Sequence, residues 1–201
     1  MEFYTIGHSN REPDQFLKIL DWAGIRLIVD VRAFPRSRAN PAYSIEVLPL
    51  SLAAAGIGYE HWPELGGRRG RQHAVPNDCN ALWRNRSFHN YADYALSSTF
   101  HNAISTLIGR SSSRRLALMC SEAVWWRCHR RIITDYLIAR GCTVYHLVSL
   151  GRLDLASPSD GAKIDPSGHI LYPSQSTPYK CINMHERENH QWPELPSTKC
   201  C

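Results

Sequence analysis

The chain of 201 residues is 43% hydrophobic and 20% charged and carries a formal net charge of +5, which suits one α/β domain with a full core and a short tail. No run of eighteen apolar residues is present, and this excludes a helical membrane span. The N-terminal Met1–Ile6 reads as a strand, not as a basic-then-apolar leader, so a cytoplasmic protein is expected.

In chain order, Phe3–Ile6 predicts a first strand. Phe16, Leu17, Ile19 and Leu20 then recur at helical spacing over Glu12–Ala23, and Gly24 stops the run. Arg26–Val31 predicts a second strand, Ile45–Ala55 a helix ended by Gly56, and Gly58–Trp62 a short third strand. A polar loop from Pro63 to about Asn80 holds Gly66, Gly67, Gly70 and three arginines. Phe88, Tyr91, Ala95, Phe100, Ala103, Ile104 and Leu107 then predict one helix over roughly residues 88–109. Arg115–Met119 predicts a fourth strand, Ala123–Ala139 a helix stopped by Gly141, and Cys142–Val148 a fifth strand. Beyond about residue 151 Pro, Ser, Asp and Gly dominate, and only His169–Tyr172 reads as a further short strand.

This alternation predicts a three-layer α/β sandwich around a mostly parallel, five-stranded, Rossmann-like sheet. Residues 1–173 form the domain, and 174–201 an extended tail. Right-handed crossovers place every strand's carboxyl end on one rim, where such folds bind ligands. The residues at those ends are Gly7-His8-Ser9-Asn10, Asp30 and Arg32, Glu64-Leu65-Gly66-Gly67, and Cys120-Ser121-Glu122, with His146 nearby.

These pieces carry a resemblance. Thr5-Ile6-Gly7-His8-Ser9-Asn10, Asp30-Val31-Arg32 with Pro35-Arg36-Ser37-Arg38, Leu65-Gly66-Gly67, and Cys120-Ser121-Glu122 with Cys128-His129-Arg130 occur in the order seen in a bacterial and archaeal family, domain of unknown function 488. The chain resembles that family over roughly residues 3–148. The resemblance implies an α/β domain with a shared site at these residues and supplies little chemistry.

Cys120 closes an apolar strand where a helix N-terminus and several arginines favour a thiolate, although cysteines are often simply buried. Seven cysteines without a CxxC pair suggest mostly free thiols. The spacing Cys120-x6-Arg127 differs from the Cys-x5-Arg loop of phosphatases, and Trp125 and Trp126 stand where that loop needs glycines. Glu122 is a general acid or base, or a first-turn carboxylate complementing the helix dipole. Asp30 either orients a base or pairs with Arg32. Ser9 or Asn10 caps the first helix while His8 points into the site.

The leading expectation is an enzyme acting on a phosphate-bearing substrate, a nucleotide or nucleic-acid component. Cys120, Glu122, His8 and Asp30 are its catalytic candidates. Ser9, Asn10, Arg32, Arg36, Arg38, Gly66, Gly67, Arg68, Ser121, Cys128, His129 and Arg130 are its substrate-binding candidates. Trp62, Trp83, Trp125 and Trp126 offer stacking surfaces for bases. The alternatives are a non-catalytic nucleic-acid-binding module, and a metal-dependent or redox enzyme built on Cys and His. No cofactor is expected. Adjacent residues on a helix point about 100° apart, so Cys128 and His129 are not expected to bind one ion together.

Overall fold

The hydrophobic run Leu116–Met119 is fully excluded from solvent, and the strand it forms lies inside the sheet with a neighbour on each side. In the computed structural model, which describes residues 1–36 and 40–174, six strands form one sheet. They are β1 (Glu2–Gly7), β2 (Leu27–Asp30), β3 (Gly58–His61), β4 (Leu116–Cys120), β5 (Thr143–Ser149) and β6 (Arg152–Leu155), in the order β3-β2-β4-β1-β5-β6. The first five run parallel and β6 is antiparallel to β5. The expectations for Arg38 and for the tail beyond residue 174 fall outside the described residues.

Among the described residues five α-helices cover the sheet: α1 (Pro13–Trp22), α2 (Leu48–Ala54), α3 (Arg86–Tyr94), α4 (Ser98–Ser111) and α5 (Arg130–Ala139). Phe16, Ile19 and Leu20 of α1 and Leu48 and Leu52 of α2 pack with Ile6, Ile28, Ala117 and Met119 on one face. Tyr91 of α3, Phe100 and Ile104 of α4, and Ile132 and Ile133 of α5 pack with Val29, Leu116 and Leu118 on the other. The three-layer α/β reading therefore holds. Side chains alternate along β4, so Cys120 shares a face with Leu116 and Leu118 and points toward the α3–α5 layer.

The structure differs from the sequence reading in four places. The sheet has a sixth strand, because Arg152–Leu155 turns back at Gly151 (φ 76) onto β5. The helix expected over 88–109 is two helices, because Ser97 adopts extended backbone and its hydroxyl accepts the Phe100 N–H to begin α4. The helix expected from Ala123 is instead a 3-10 turn at Trp125–Arg127, then extended backbone at Cys128 (φ −121, ψ 147), then α5. The added strand expected at His169–Tyr172 is β8 (Ile170–Leu171), paired with β7 (Lys163–Ile164) in a separate two-stranded ladder.

Candidate functional site

The floor of the site is backbone. Hydrogen bonds continue past the ends of the central strands, from His8 N–H to the Cys120 carbonyl (3.0 Å), from Ser9 N–H to the Ser121 carbonyl (2.9 Å) and from Val31 N–H to the Met119 carbonyl (2.9 Å). Gly7 is required there, since a Cβ at that position would lie 2.0 Å from the Glu122 carbonyl oxygen. The helices that follow β1 and β2 pack on one face and α5 after β4 packs on the other. Such a reversal opens a crevice at the strand ends.

A cavity of about 430 Å³ occupies this crevice. His8, Arg32, Arg36, Gly67, Arg68, Cys120, Ser121, Glu122, Cys128 and His129 line it, so ten of the residues expected from sequence come together. Asp30, Ser9, Asn10, Gly66 and Arg130 are not among its lining residues. Neither Ser9 nor Asn10 caps α1, whose N-cap is Glu12 with no side-chain cap. The Asn10 side chain instead accepts a hydrogen bond from Asn40 (3.2 Å). None of the four tryptophans lines the cavity; its aromatic walls are Phe34, Phe88 and Tyr91.

Asp30 is fully buried and works through Arg32. Its carboxylate accepts from Arg32 Nε (2.9 Å to Oδ1) and Nη2 (2.5 Å to Oδ2), and from the Tyr59 hydroxyl (2.7 Å). Arg32 Nη1 in turn lies 3.2 Å from His8 Nε2, while His8 Nδ1 lies 2.9 Å from the Ser9 carbonyl oxygen. Only one tautomer satisfies both contacts: Nδ1 carries the proton and donates to Ser9, and Nε2 accepts from Arg32. Burial first, and then the Arg32 guanidinium, pushes His8 down to about 4, so it is neutral at physiological pH. Its ring stacks on Tyr43 at 4.2 Å.

The two cysteines line the cavity side by side with His129. Cys120 and Cys128 are both buried and both free thiols; Cys79 is disulfide-bonded. The hydrogen bond to Cys128, together with burial, pushes Cys120 up to about 11. Burial alone would raise Cys128 as well. The Cys120 thiol and the Arg130 guanidinium outweigh it and bring Cys128 down to about 6. Cys128, not Cys120, is thus the thiolate of the pair. Arg130 is 1% exposed and donates from Nε to Cys128 Sγ (3.2 Å) and from Nη2 to the Glu122 carbonyl. His129 donates from Nε2 to the Val31 carbonyl (2.9 Å), which leaves Nδ1 with its lone pair, 3.7 Å from Cys128 Sγ.

At the mouth, Arg36 pairs with Glu46 (3.0 Å). Arg68 and Arg127 are exposed and have no carboxylate partner among the described residues. Arg68 is held at φ 58, a conformation that side-chain-bearing residues seldom adopt, and its guanidinium lies 5.9 Å from the Phe34 ring centroid. Glu122 is also exposed and accepts the Val124 N–H (3.3 Å), a local bond at the start of the turn. Sequence reasoning missed Phe34, Ser87, Phe88 and Tyr91. The last three come from α3, which no local motif ties to the rim.

A family model described as Domain of unknown function DUF488 matches residues 12–137. No curated protein and no solved structure matches the chain.

Proposed function

The chain belongs to the DUF488 family, and from that premise we propose that it is an enzyme whose substrate carries a phosphate, a nucleotide or nucleic-acid component, bound in the crevice above β1, β2 and β4. One observation carries the reading. Two arginines without carboxylate partners among the described residues, Arg68 and Arg127, stand over a cavity that also holds exposed Phe34, half-buried Phe88 and two buried sulfurs. Guanidinium groups match phosphate oxygens, and aromatic rings give a base a stacking surface. The cavity volume of about 430 Å³ suits a small-molecule ligand.

The roles follow from burial. Arg68 and Arg127 hold phosphate, and Ser121 adds a hydroxyl at the same wall. Arg32 is already neutralised by Asp30, so Asp30, Arg32 and neutral His8 add no net charge to the pocket. Glu122 is the exposed proton-transfer group beside the sulfurs.

Titration of the full chain with mononucleotides and short single-stranded oligonucleotides, followed by product analysis, tests this. Binding should weaken with added salt. Arg68→Ala and Arg127→Ala should each weaken it by roughly 10-fold or more, the worth of a charge-assisted hydrogen bond. Glu122→Gln should stop turnover and leave binding in place. No binding by the wild type, or binding without any product, overturns the proposal.

A further inference from the structure

The geometry points to a metal centre in the cavity wall, with Cys120, Cys128 and His129 as ligands to a zinc-class divalent ion. Their ligand atoms all lie within 4.8 Å of one another, and Cys128 Sγ to His129 Nδ1 is 3.7 Å. A tetrahedral ion bound at about 2.3 Å to sulfur and about 2.0–2.1 Å to nitrogen separates its donors by similar distances. Cys120 closes β4, and its neighbours 128 and 129 reach it because Cys128 is extended and His129 only begins α5. The 100° divergence of adjacent helical residues therefore does not apply.

A second observation, independent of the cluster's compactness, points the same way. His129 is oriented by a hydrogen bond from Nε2 to a backbone carbonyl, which directs the other nitrogen, as a lone pair, toward the two sulfurs. That outer bond is how proteins fix the tautomer and aim of a metal-binding imidazole. Gly67 leaves the ring room, since a Cβ there would lie 2.8 Å from His129 Nδ1.

The donor set chooses the ion. Two cysteines, both deprotonated once an ion is bound, and an imidazole suit zinc-class ions and not calcium or magnesium. Their two negative charges balance a divalent cation, and buried Arg130 adds one positive charge through its bond to Cys128 Sγ. The centre as a whole is then cationic. All three ligands line the cavity, and no fourth His, Cys, Asp or Glu joins the cluster among the described residues. Three protein ligands with one open position is the arrangement of catalytic zinc, which activates water or polarises a bound oxygen. This inference goes beyond the nucleotide reading and does not need it.

Titrating the reduced, chelator-free full chain with Co²⁺ decides the matter. The expected result is one equivalent bound, with sulfur-to-cobalt charge-transfer absorption in the near ultraviolet, displaced by Zn²⁺. Cys120→Ser, Cys128→Ser and His129→Gln should each lower affinity by roughly 100-fold or more, at or beyond the upper end of the loss from an outer-shell change. Cys142→Ser should keep the spectrum. Alkylation of the unmutated protein covers the case of variants that do not fold: one equivalent of Zn²⁺ should protect Cys120 and Cys128 from iodoacetamide and leave Cys142 unprotected. Failure to bind, unchanged affinity in well-folded ligand variants, or absence of protection overturns the centre. Arg68→Ala and Arg127→Ala should bind cobalt normally, so a failed metal titration and a failed nucleotide titration are separate results.

Discussion

Asp30 is a residue whose role follows from being fully buried beside a cation. Its carboxylate neutralises Arg32, fixes the Tyr59 hydroxyl, and through Arg32 holds the proton of His8 on Nδ1. Asp30→Asn keeps the volume and removes the charge, so Arg32 is left buried without its counter-ion. The expected cost is about 3–5 kcal/mol of unfolding free energy, measured by urea denaturation. A loss under about 1 kcal/mol shows that Arg32 has found another partner. The sequence left this residue open between orienting a base and pairing with Arg32. The pairing was written locally in Asp30-x-Arg32. The relay to His8, 24 positions away in the chain, was not.

Capping shows what one element contributes to the site. Helix α3 begins at Asn85, whose side-chain oxygen accepts the N–H groups of Ser87 (2.9 Å) and Phe88 (3.4 Å). Ser87, Phe88 and Tyr91 then form a wall of the cavity. Asn85→Ala should cost about 1 kcal/mol by thermal unfolding. It should also weaken ligand binding, whereas Ser97→Ala at the start of α4 should cost a similar amount of stability and leave binding alone. Equal binding in both variants detaches α3 from the site. At this scale the sequence was a mixed guide. Long apolar strands and the α1 period were legible because burial on one or both faces imposes a pattern. The break before α4 and the extended residue at Cys128 were not, because both follow from local hydrogen bonds that leave the apolar period intact. Reading Ala123–Ala139 as one helix set Cys128 and His129 apart, and that one element error hid the cysteine–histidine cluster.

At the scale of the whole fold, burial keeps three of the described histidines neutral. His8 and His101 are pushed down to about 4 and His146 to about 3, each chiefly by burial. An unfolded histidine takes up its proton near 6.5. The sign follows directly. Above pH 6.5 neither state binds the imidazole proton, and these three groups add no slope. Between 6.5 and 4 the unfolded chain binds it and the native protein does not, so stability drops as the solution is acidified. Three such groups give a slope of up to about 4 kcal/mol per pH unit, read by urea unfolding at pH 7.5, 6 and 5. Substituting His146 with Gln should flatten the slope by about a third. Stability constant from pH 7.5 to 5 contradicts the buried neutral histidines.

The hydrogen bonds that run past the ends of β1, β2 and β4 have a consequence for change over time. They make the base of the crevice out of main chain, which most substitutions leave unaltered. Loop 66–71 and α3 supply walls made of side chains. New wall residues therefore alter which molecules gain entry without relocating the sulfur atoms below. A scaffold divided in this way can drift at its edges while the two buried cysteines stay put.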